Sequence, residues 1–269
     1  MRRLEPIRDL WILAGITKNP TPIILDRLGF KKSPYQMSLK NKLKLELRPQ
    51  RGDRYSFYEV YVKKDYTKSG QYLPPGGTVI DVGANIGCFT ILAARQVGPT
   101  GRVIAIEPDE GSFHQLERNL ELNRLRNVTP LRLALGGGEG RITLYNGAGT
   151  LFSSIYPKVD GRRVYGQGRS QEVQMTTLEA MMKEEHINRC EYLKMDCEGA
   201  EYDILRSMTQ ELAGRIHQIT MEVHRVPRGD PAEIGQNLDR LGYTCVHQDG
   251  VSYYRLRSEA ARSAGRVHS

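Results

Sequence analysis

Carboxylates and a histidine are grouped near the ends of two apolar runs in the second half of the sequence. The group consists of Asp196, Glu198, Glu201, Glu222 and His224. A histidine can accept a proton from a hydroxyl group near neutral pH, and a neighbouring carboxylate can orient its ring. Carboxylate oxygens and an imidazole nitrogen in one place can instead bind a divalent cation such as Mg²⁺. The sequence therefore predicts either acid–base chemistry or metal chemistry at this group.

Individual roles follow from the positions of these residues. We predict that His224 is the general base, that Glu222 orients it, and that Asp196 completes the catalytic group. If a divalent metal ion is bound, its predicted ligands are Asp196, Glu198, Glu222 and His224. Glu201 could instead cap the helix that begins beside it. Lys194, two residues before Asp196, is predicted to form a structural salt bridge.

A second group of interest lies in a glycine-rich segment. Residues 79–87 read V-I-D-V-G-A-N-I-G and join an apolar run to a helical pattern. Gly83 and Gly87 allow the backbone to approach a ligand without a side chain in the way. Ligands of open parallel sheets bind at such strand-to-helix turns. Glu107, which ends the next apolar run, could accept hydrogen bonds from both hydroxyls of a ribose, so the two features together predict a nucleoside-containing cofactor.

The spacing of the glycines separates two cofactor classes. Enzymes that bind NAD use G-x-G-x-x-G, because a pyrophosphate must lie on the helix N-terminus. Here the spacing is G-x-x-x-G, and Asp81 precedes it by two residues. S-adenosylmethionine has no phosphate and carries an ammonium and a sulfonium, so an acidic turn suits it better. Its predicted binding residues are Asp81, Gly83, Ala84, Asn85, Gly87, Glu107, Pro108, Leu135 and Asp196.

β-rich and helical patterns alternate from residue 78 onward, and these elements must position both groups. The predicted strands cover 78–82, 102–106, 128–135, 192–196, 216–224, 243–248 and 252–256, and the predicted helices cover 87–97, 109–123, 177–185, 200–208 and 231–241. Such alternation is typical of an α/β fold with a mostly parallel, doubly wound sheet. The closing hairpin is expected to add one antiparallel strand. Because parallel strands end at the same edge of a sheet, the two groups should meet there.

The rest of the chain divides by composition. Residues 1–75 are predicted to be a basic N-terminal extension, with an amphipathic helix at 4–16 and a β-hairpin at 38–61 that turns near 49–53. Residues 76–258 are predicted to be the main domain, which contains a glycine-rich insertion at 136–175. Residues 259–269 are a basic tail that is predicted to be disordered.

Charge and cysteine content narrow the class of protein. The 269 residues carry a net charge of +8, and residues 1–75 hold 16 Lys and Arg against 7 Asp and Glu. A basic region of this kind can contact nucleic acid, an anionic membrane or only solvent. No apolar run is long enough to span a membrane, and no secretory signal is recognisable. The four cysteines lack the spacing of a metal site, which predicts free thiols in the cytoplasm.

Four blocks of this sequence resemble the FkbM family of S-adenosylmethionine-dependent methyltransferases. They are residues 79–87, residues 105–108 (A-I-E-P), residues 193–201 (L-K-M-D-C-E-G-A-E) and residues 222–224 (E-V-H). The third block is the most distinctive, and the resemblance extends over about residues 58–256. It implies a Rossmann-like class I methyltransferase fold and methyl transfer to oxygen, typically to a hydroxyl of a sugar, glycolipid or polyketide.

Three functions are compatible with these features. The first is O-methylation of a small molecule or glycan, with Tyr145, Tyr156 and Tyr165 of the insertion lining the acceptor pocket. The second is RNA methylation, in which basic residues near aromatic ones would bind a single strand: Lys31, Lys32, Lys40, Lys42, Lys44, Arg48, Arg51 and Arg54 near Tyr35, Tyr55, Phe57 and Tyr58. The third is a non-enzymatic binding module. The helix that carries Trp11 could also contact a membrane or a second subunit, so a homo-oligomer is considered too.

Overall fold

The computed structural model describes residues 6–68, 70–146, 153–163, 170–227 and 229–257. Its helices are α1 (Pro6–Ile16), α2 (Thr21–Arg27), α3 (Asp53–Phe57), α4 (Cys88–Val97), α5 (Glu110–Asn123), α6 (Leu178–Glu184), α7 (Glu201–Ser207), α8 (Gln210–Gly214) and α9 (Pro231–Arg240), and a π-helical segment covers Tyr58–Lys63. Its strands are β1 (Tyr35–Ser38), β2 (Lys44–Leu47), β3 (Thr78–Val82), β4 (Arg102–Ile106), β5 (Val128–Leu131), β6 (Ala134–Leu135), β7 (Gly140–Asn146), β8 (Ser153–Ser154), β9 (Lys158–Val159), β10 (Arg162–Arg163), β11 (Ser170–Thr176), β12 (Tyr192–Met195), β13 (Gln218–Glu222), β14 (Tyr243–Asp249) and β15 (Val251–Leu256). Among the described residues, no helix has both the length and the apolar character that a bilayer-crossing segment needs. The predicted tail at 259–269 and Tyr165 lie outside these ranges.

The central sheet has seven strands in the order β14-β15-β13-β12-β3-β4-β5. The five strands from β13 to β5 run parallel to one another, whereas β15 is antiparallel to both of its neighbours. This arrangement confirms the predicted doubly wound α/β architecture, including the antiparallel strand from the closing hairpin. The carboxyl ends of β3, β4, β12 and β13 therefore lie along one edge, where both groups of polar residues follow them.

Burial on both faces explains why the central strands are apolar along their whole length. Alternate residues of one strand belong to two separate apolar clusters. In β4, for example, Val103 and Ala105 pack into one cluster, while Ile104 and Ile106 pack into the other. The two clusters lie on opposite sides of the sheet, because successive side chains of a strand point to opposite faces.

The N-terminal region differs in part from the predicted hairpin at 38–61. The helix predicted at 4–16 is present as α1, and β1 pairs with β2 in an antiparallel hairpin. However, that hairpin turns at residues 40–42 instead of 49–53, and residues 53–63 are helical. Asp53 is the physical reason, because its fully buried carboxylate accepts hydrogen bonds from the backbone N–H and the guanidinium of Arg48. This closes the turn and directs the chain into a helix.

The elements before residue 75 share an apolar core with the central sheet. Leu13, Met37 and Phe57 are fully buried in the same cluster as Val79 and Val103. Polar contacts join the regions as well, since helix α5 bonds to the backbone of β2 through side-chain amides. Trp11 remains three-quarters exposed on α1. The N-terminal elements are thus packed where they can contribute side chains to the edge of the sheet.

The run predicted as one strand at 128–135 is divided in two. Residues 128–131 form β5 of the central sheet, whereas Ala134 and Leu135 form β6, which pairs with β11 in a second sheet of order β6-β11-β7-β8. The chain leaves the central sheet at residues 132–133. The second sheet is built mainly from residues of the predicted insertion, with β7 antiparallel to both β11 and β8.

We expect Asp53→Asn to lower the free energy of unfolding by about 2–3 kcal/mol, since hydrogen bonds to a charged group contribute about 1.5–3 kcal/mol. Urea unfolding followed by circular dichroism measures the change. Asp239→Asn is the matched control, because Asp239 forms a salt bridge to Arg257 with a side chain that is 73% exposed. It should change the unfolding midpoint little. An equal loss in both variants would contradict a special role for Asp53.

Candidate active site

A buried ion pair lies directly beneath the glycine-rich turn. Asp81 of β3 and Lys194 of β12 are register partners on adjacent strands, and Lys194 Nζ lies 3.1 Å from Asp81 Oδ1. The hydroxyl of Thr90 donates to Asp81 Oδ2 at 2.6 Å, and Lys194 also donates to the carbonyl of Gly83 at 2.7 Å. Both charged side chains are almost fully buried. Asp81 therefore supports the turn from within the protein, and Lys194 forms the predicted salt bridge.

Gly83 brings the two groups of polar residues together. Its φ of +74° lies in the left-handed region, and a Cβ atom built there would lie 1.8 Å from the carbonyl oxygen of Asp196. Only glycine allows this close approach. The turn at 83–87 and the loop that begins at Asp196 are thus in direct backbone contact.

Glu107 and Asn85 form the part of the site suited to a ribose. The carboxylate of Glu107 accepts hydrogen bonds from the backbone N–H groups of Asn85 at 2.8 Å and Asp109 at 2.9 Å. Burial raises the pKa of Glu107 to about 7, although both N–H groups oppose this shift. Asn85 has a positive φ, and its buried Oδ1 atom has no hydrogen-bond partner among the described residues. This oxygen is available to a donor on a ligand.

The other predicted cofactor residues have different surroundings. Gly87, with a φ of +85°, begins α4 and packs closely against Leu116. Pro108 is half-buried beside Glu107 in the chain. In contrast, Ala84 and Leu135 are buried in the two apolar clusters of the core. The sequence analysis grouped all of these residues as cofactor contacts, and for Ala84 and Leu135 that grouping stays a prediction.

Glu201 fixes the orientation of His224. Its carboxylate is fully buried and accepts hydrogen bonds from the backbone N–H groups of Cys197 and Gly199, both at 2.9 Å. The same carboxylate lies 3.1 Å from Nδ1 of His224. Glu201 thus caps the turn before α7, as predicted. It also orients the imidazole ring, a role that the sequence analysis assigned to Glu222.

The opposite ring nitrogen of His224 faces two further carboxylates. Nε2 lies 3.8 Å from Oδ1 of Asp196 and 3.6 Å from Oε2 of Glu198. One ligand atom from each of Asp196, Glu222 and His224 can be chosen so that all three lie within 4.8 Å of one another. The structure therefore brings together all the residues of the predicted cluster.

The cluster holds more negative charge than its cations balance. Burial raises the pKa of Glu198 to about 8 against the opposing effect of His224, and burial together with Asp196 raises the pKa of Glu222 to about 7. Burial alone would lower the pKa of His224, but Glu201, Glu198 and Asp196 raise it well above its ordinary value. The site thus favours a bound proton or another positive charge.

Two contributors to the site were missed by the sequence analysis. The hydroxyl of Tyr66 donates to Oδ2 of Asp196 at 2.6 Å. Glu59 lies in the π-helical segment, and burial, followed by the charges of Asp196 and Glu222, raises its pKa to about 8. Both residues belong to the predicted N-terminal extension, residues 1–75, and not to the predicted main domain. The signal available was an acidic residue within the otherwise aromatic and β-branched run Y-E-V-Y-V.

The insertion forms a wall beside the cluster. The hydroxyl of Ser154 donates to the carbonyl of Glu198 at 2.5 Å, and Asp160 and Arg225 exchange two hydrogen bonds. Tyr156 lies against Gly199, and its hydroxyl donates to Asp203 at 2.5 Å. Tyr145 is half-buried and packs against the core. Of the two described tyrosines that were predicted to line a pocket, Tyr145 and Tyr156, it is Tyr156 that lies beside the Glu198 loop.

The family model for the methyltransferase FkbM domain matches residues 81–245, which is more than half of the chain. The chain belongs to the FkbM methyltransferase family. It is 29% identical over 217 residues to 31-O-demethyl-FK506 methyltransferase FkbM of Streptomyces tacrolimicus, and the match covers 72% of this chain and 82% of that protein. Methyltransferase sdnD of Sordaria araneosa is 25% identical over 254 residues, with 85% and 91% covered.

A third similarity involves a much longer protein. AMB antimetabolite synthetase AmbE of Pseudomonas aeruginosa is 29% identical over 201 residues, which is 63% of this chain, but this chain spans only 9% of AmbE. Membership of the FkbM family identifies the chain as an S-adenosylmethionine-dependent methyltransferase with the class I fold. This identification agrees with the resemblance found in the sequence.

The residues at the turn fit S-adenosylmethionine. The unpaired Oδ1 of Asn85 and the remaining lone pairs of Glu107 offer acceptors for the hydroxyl and ammonium donors of the cofactor. The excess negative charge of the neighbouring cluster suits the sulfonium. When bound, the cofactor supplies an electrophilic methyl group. Gly83, Asn85 and Glu107 would bind its nucleoside and amino-acid parts.

We expect Gly83→Ala to abolish cofactor binding and to lower the free energy of unfolding by at least about 2 kcal/mol, because the added Cβ would collide with backbone. Isothermal titration with S-adenosylhomocysteine and urea unfolding measure both effects. Gly138→Ala is the matched control, since nothing lies within 4 Å of a Cβ at that position. Normal cofactor affinity in Gly83→Ala would show that the two loops do not need this contact.

We also expect cofactor affinity to rise with pH. An ionised carboxylate accepts hydroxyl hydrogen bonds more strongly than the protonated acid, one oxygen of which becomes a donor, and Glu107 ionises as the pH rises through about 7. The dissociation constant should therefore fall by about tenfold between pH 6 and pH 8. Titration at several pH values checks this, with Glu107→Gln as the comparison. The Glu107→Gln variant should bind the cofactor more weakly and lose the pH dependence. If the pH dependence is unchanged in this variant, a group other than Glu107 causes it.

Proposed function

We propose that this FkbM-family enzyme is an O-methyltransferase that acts on a hydroxyl of a small molecule, a sugar, or a glycolipid or polyketide. The observation that carries the proposal is the contact between Gly83 and Asp196, which places the Asp196–Glu222–His224 cluster beside the cofactor turn. A hydroxyl bound at the cluster would therefore lie close to the methyl donor. The name of the Streptomyces relative, an O-demethyl-FK506 methyltransferase, supports the same chemistry.

The chemistry requires positioning and removal of one proton. Methyl transfer from a sulfonium is an in-line displacement, in which the carbon–sulfur bond breaks as the oxygen–carbon bond forms. The leaving thioether needs no protonation, so orientation is the main requirement and can contribute about 7–11 kcal/mol. The acceptor hydroxyl must also lose its proton. Asp196, Glu222 and His224 are the residues that we propose to bind this hydroxyl and to favour its ionised form.

The insertion is the proposed acceptor wall. Its contacts with the Glu198 loop and with Arg225 hold it against the loops that follow β12 and β13. The half-buried ring of Tyr156 lies against Gly199. Aromatic faces with adjacent polar groups suit a ring that carries hydroxyls. We therefore propose that residues of the insertion select the acceptor, while the cluster provides the chemistry.

RNA methylation is supported less well by the structure. Of the aromatic residues considered for base stacking, Tyr35, Phe57 and Tyr58 are buried in the core. Arg48 forms an ion pair with Asp53, and Arg54 packs over the ring of Tyr55. Stacking on bases requires exposed rings. The basic extension thus lacks most of the exposed aromatic rings that the RNA hypothesis requires.

The free cysteines fit a reducing cytoplasm, which we propose as the location of the protein.

We expect the protein to transfer label from methyl-labelled S-adenosylmethionine to acceptors in a source-cell extract, and the label to survive ribonuclease. His224→Ala should lower the rate at least about 100-fold, because it removes one of the three side chains proposed to favour the ionised hydroxyl, and groups that assist proton removal contribute about 10²–10⁴-fold. Its affinity for S-adenosylhomocysteine should stay unchanged. Label that is lost to ribonuclease would favour RNA as the acceptor. Label found on nitrogen or carbon would contradict O-methylation, even where that label resists alkali.

A further inference from the structure

We infer that Asp196, Glu222 and His224, with Glu198 as a fourth donor, form a binding site for a divalent metal ion. The inference rests on the proposed function only for the ion's part in the reaction. The site itself follows from the side chains and their geometry. Its four donors are Glu222 at the end of β13, His224 just after it, and Asp196 and Glu198 in the loop that follows β12, at the edge of the sheet where the cofactor turn also lies.

The spacing of the donors suits one shared cation. Ligand atoms of Asp196, Glu222 and His224 lie within 4.8 Å of one another, and Nε2 of His224 is 3.6 Å from Glu198 and 3.8 Å from Asp196. Donors that share an octahedral ion at about 2.1 Å are about 3 Å apart when adjacent and about 4 Å apart when opposite. The two separations from Nε2 lie between these values, whereas they are too long for hydrogen bonds. Small side-chain rotations would complete the coordination.

His224 has the support that metal-binding histidines need. A ligating imidazole usually donates its other N–H to a carboxylate, which fixes the tautomer and the ring plane. Glu201 takes this part at 3.1 Å from Nδ1, and two backbone N–H groups hold Glu201 in turn. Since His224 is only 5% exposed, its Nε2 atom faces the cluster, and an ion bound there would displace the proton from this nitrogen.

The backbone around Glu198 is also constrained. Glu198 has a φ of +53° and Gly199 has a φ of +109°, so this turn adopts a conformation that most residues avoid. A Cβ at Gly199 would lie 2.3 Å from the side chain of Val226. The hydroxyl of Ser154 holds the carbonyl of Glu198 from the other side. These contacts direct the carboxylate of Glu198 toward Nε2 of His224 before any ligand binds.

The same geometry limits the role of His224 as a free base. A base must let the acceptor hydroxyl reach its nitrogen within about 2.6–3.2 Å. Here Nε2 is buried and already faces two carboxylates on that side. A cation between these groups would satisfy all three and would itself present an open position to the acceptor. Its positive charge would lower the pKa of the hydroxyl, whose proton would pass to a carboxylate or to water.

The donor set indicates the kind of ion. Three carboxylates favour hard cations such as Mg²⁺ and Mn²⁺, and an imidazole shifts the preference toward transition metals. We therefore assign the site to a divalent ion of Mn²⁺ type, in place of the Mg²⁺ expected from the sequence. Lys194 lies 3.9 Å from Oδ2 of Asp196, on the side of Asp81, so its charge does not fill the cluster.

The test is Mn²⁺ binding by the full chain without acceptor. After treatment with a chelator and its removal, electron paramagnetic resonance of free Mn²⁺ should show one site per chain. Asp196→Asn and Glu222→Gln should each weaken binding at least tenfold, whereas Glu117→Gln, which changes an exposed acid on α5, should bind normally. In His224→Gln, the nitrogen coupling to Mn²⁺ seen by pulsed resonance should disappear. Absence of stoichiometric binding, or equal binding in all variants, would overturn the inference.

Folding and function are controlled separately. Each variant must retain its affinity for S-adenosylhomocysteine and its unfolding midpoint. Where a variant loses either property, a Gln or Asn substitution at another of the four donors replaces it in the test. Stoichiometric Mn²⁺ binding without methylation of any hydroxyl would leave the metal site intact and remove the proposed function. Hydroxyl methylation that persists in excess EDTA, together with no Mn²⁺ binding, would support the proposed function and remove the metal site.

Discussion

The buried ion pair between Asp81 and Lys194 is the interaction on which the rest of the site depends. Removing two charges from water is costly, and here the cost is offset by close geometry and by further bonds to Thr90 and to the carbonyl of Gly83. The pair therefore joins β3 to β12 and also fixes the start of the cofactor turn. Because Gly83 then touches the backbone of Asp196, a single buried contact sets the distance between the cofactor and the chemistry.

A second constraint is the excess of carboxylates at the same edge. Asp196, Glu198, Glu222 and Glu59 gather in a partly buried space, and Tyr66 is the neutral donor that bonds Asp196. Such a cluster destabilises the ligand-free protein, since each raised pKa records a charge that burial disfavours. The fold tolerates it because Lys194 and His224 are held nearby. Functional sites commonly contain groups whose pKa values are shifted in this way. A cationic ligand would reduce the repulsion among these buried carboxylates.

The parts that the sequence predicts are those encoded by local pattern. The alternation of strands and helices, the turn at Gly83 and the grouping of Asp196 with His224 all follow from residues close together in the chain and from the rule that parallel strands end at one edge. Tyr66 and Glu59 could not be found in this way, because their approach to Asp196 depends on how the N-terminal elements pack. The hairpin predicted at 38–61 was wrong in its turn and in its second half for a related reason. The buried Asp53–Arg48 pair, which precedes the helical residues 53–63, depends on packing that alternating apolar residues do not reveal.

Contacts of the insertion connect the two halves of the site. At one end, Asn146 of β7 and Gln171 of β11 both donate to the carboxylate of Asp109, whose own N–H donates to Glu107. At the other end, Ser154 holds the carbonyl of Glu198. One small sheet thus contacts the ribose side and the cluster side together. An acceptor that displaces the insertion would disturb both the ribose side and the cluster side. Acceptor binding and cofactor geometry therefore depend on the same hydrogen bonds. The sequence of the insertion can change to suit new acceptors only where these anchoring residues are kept.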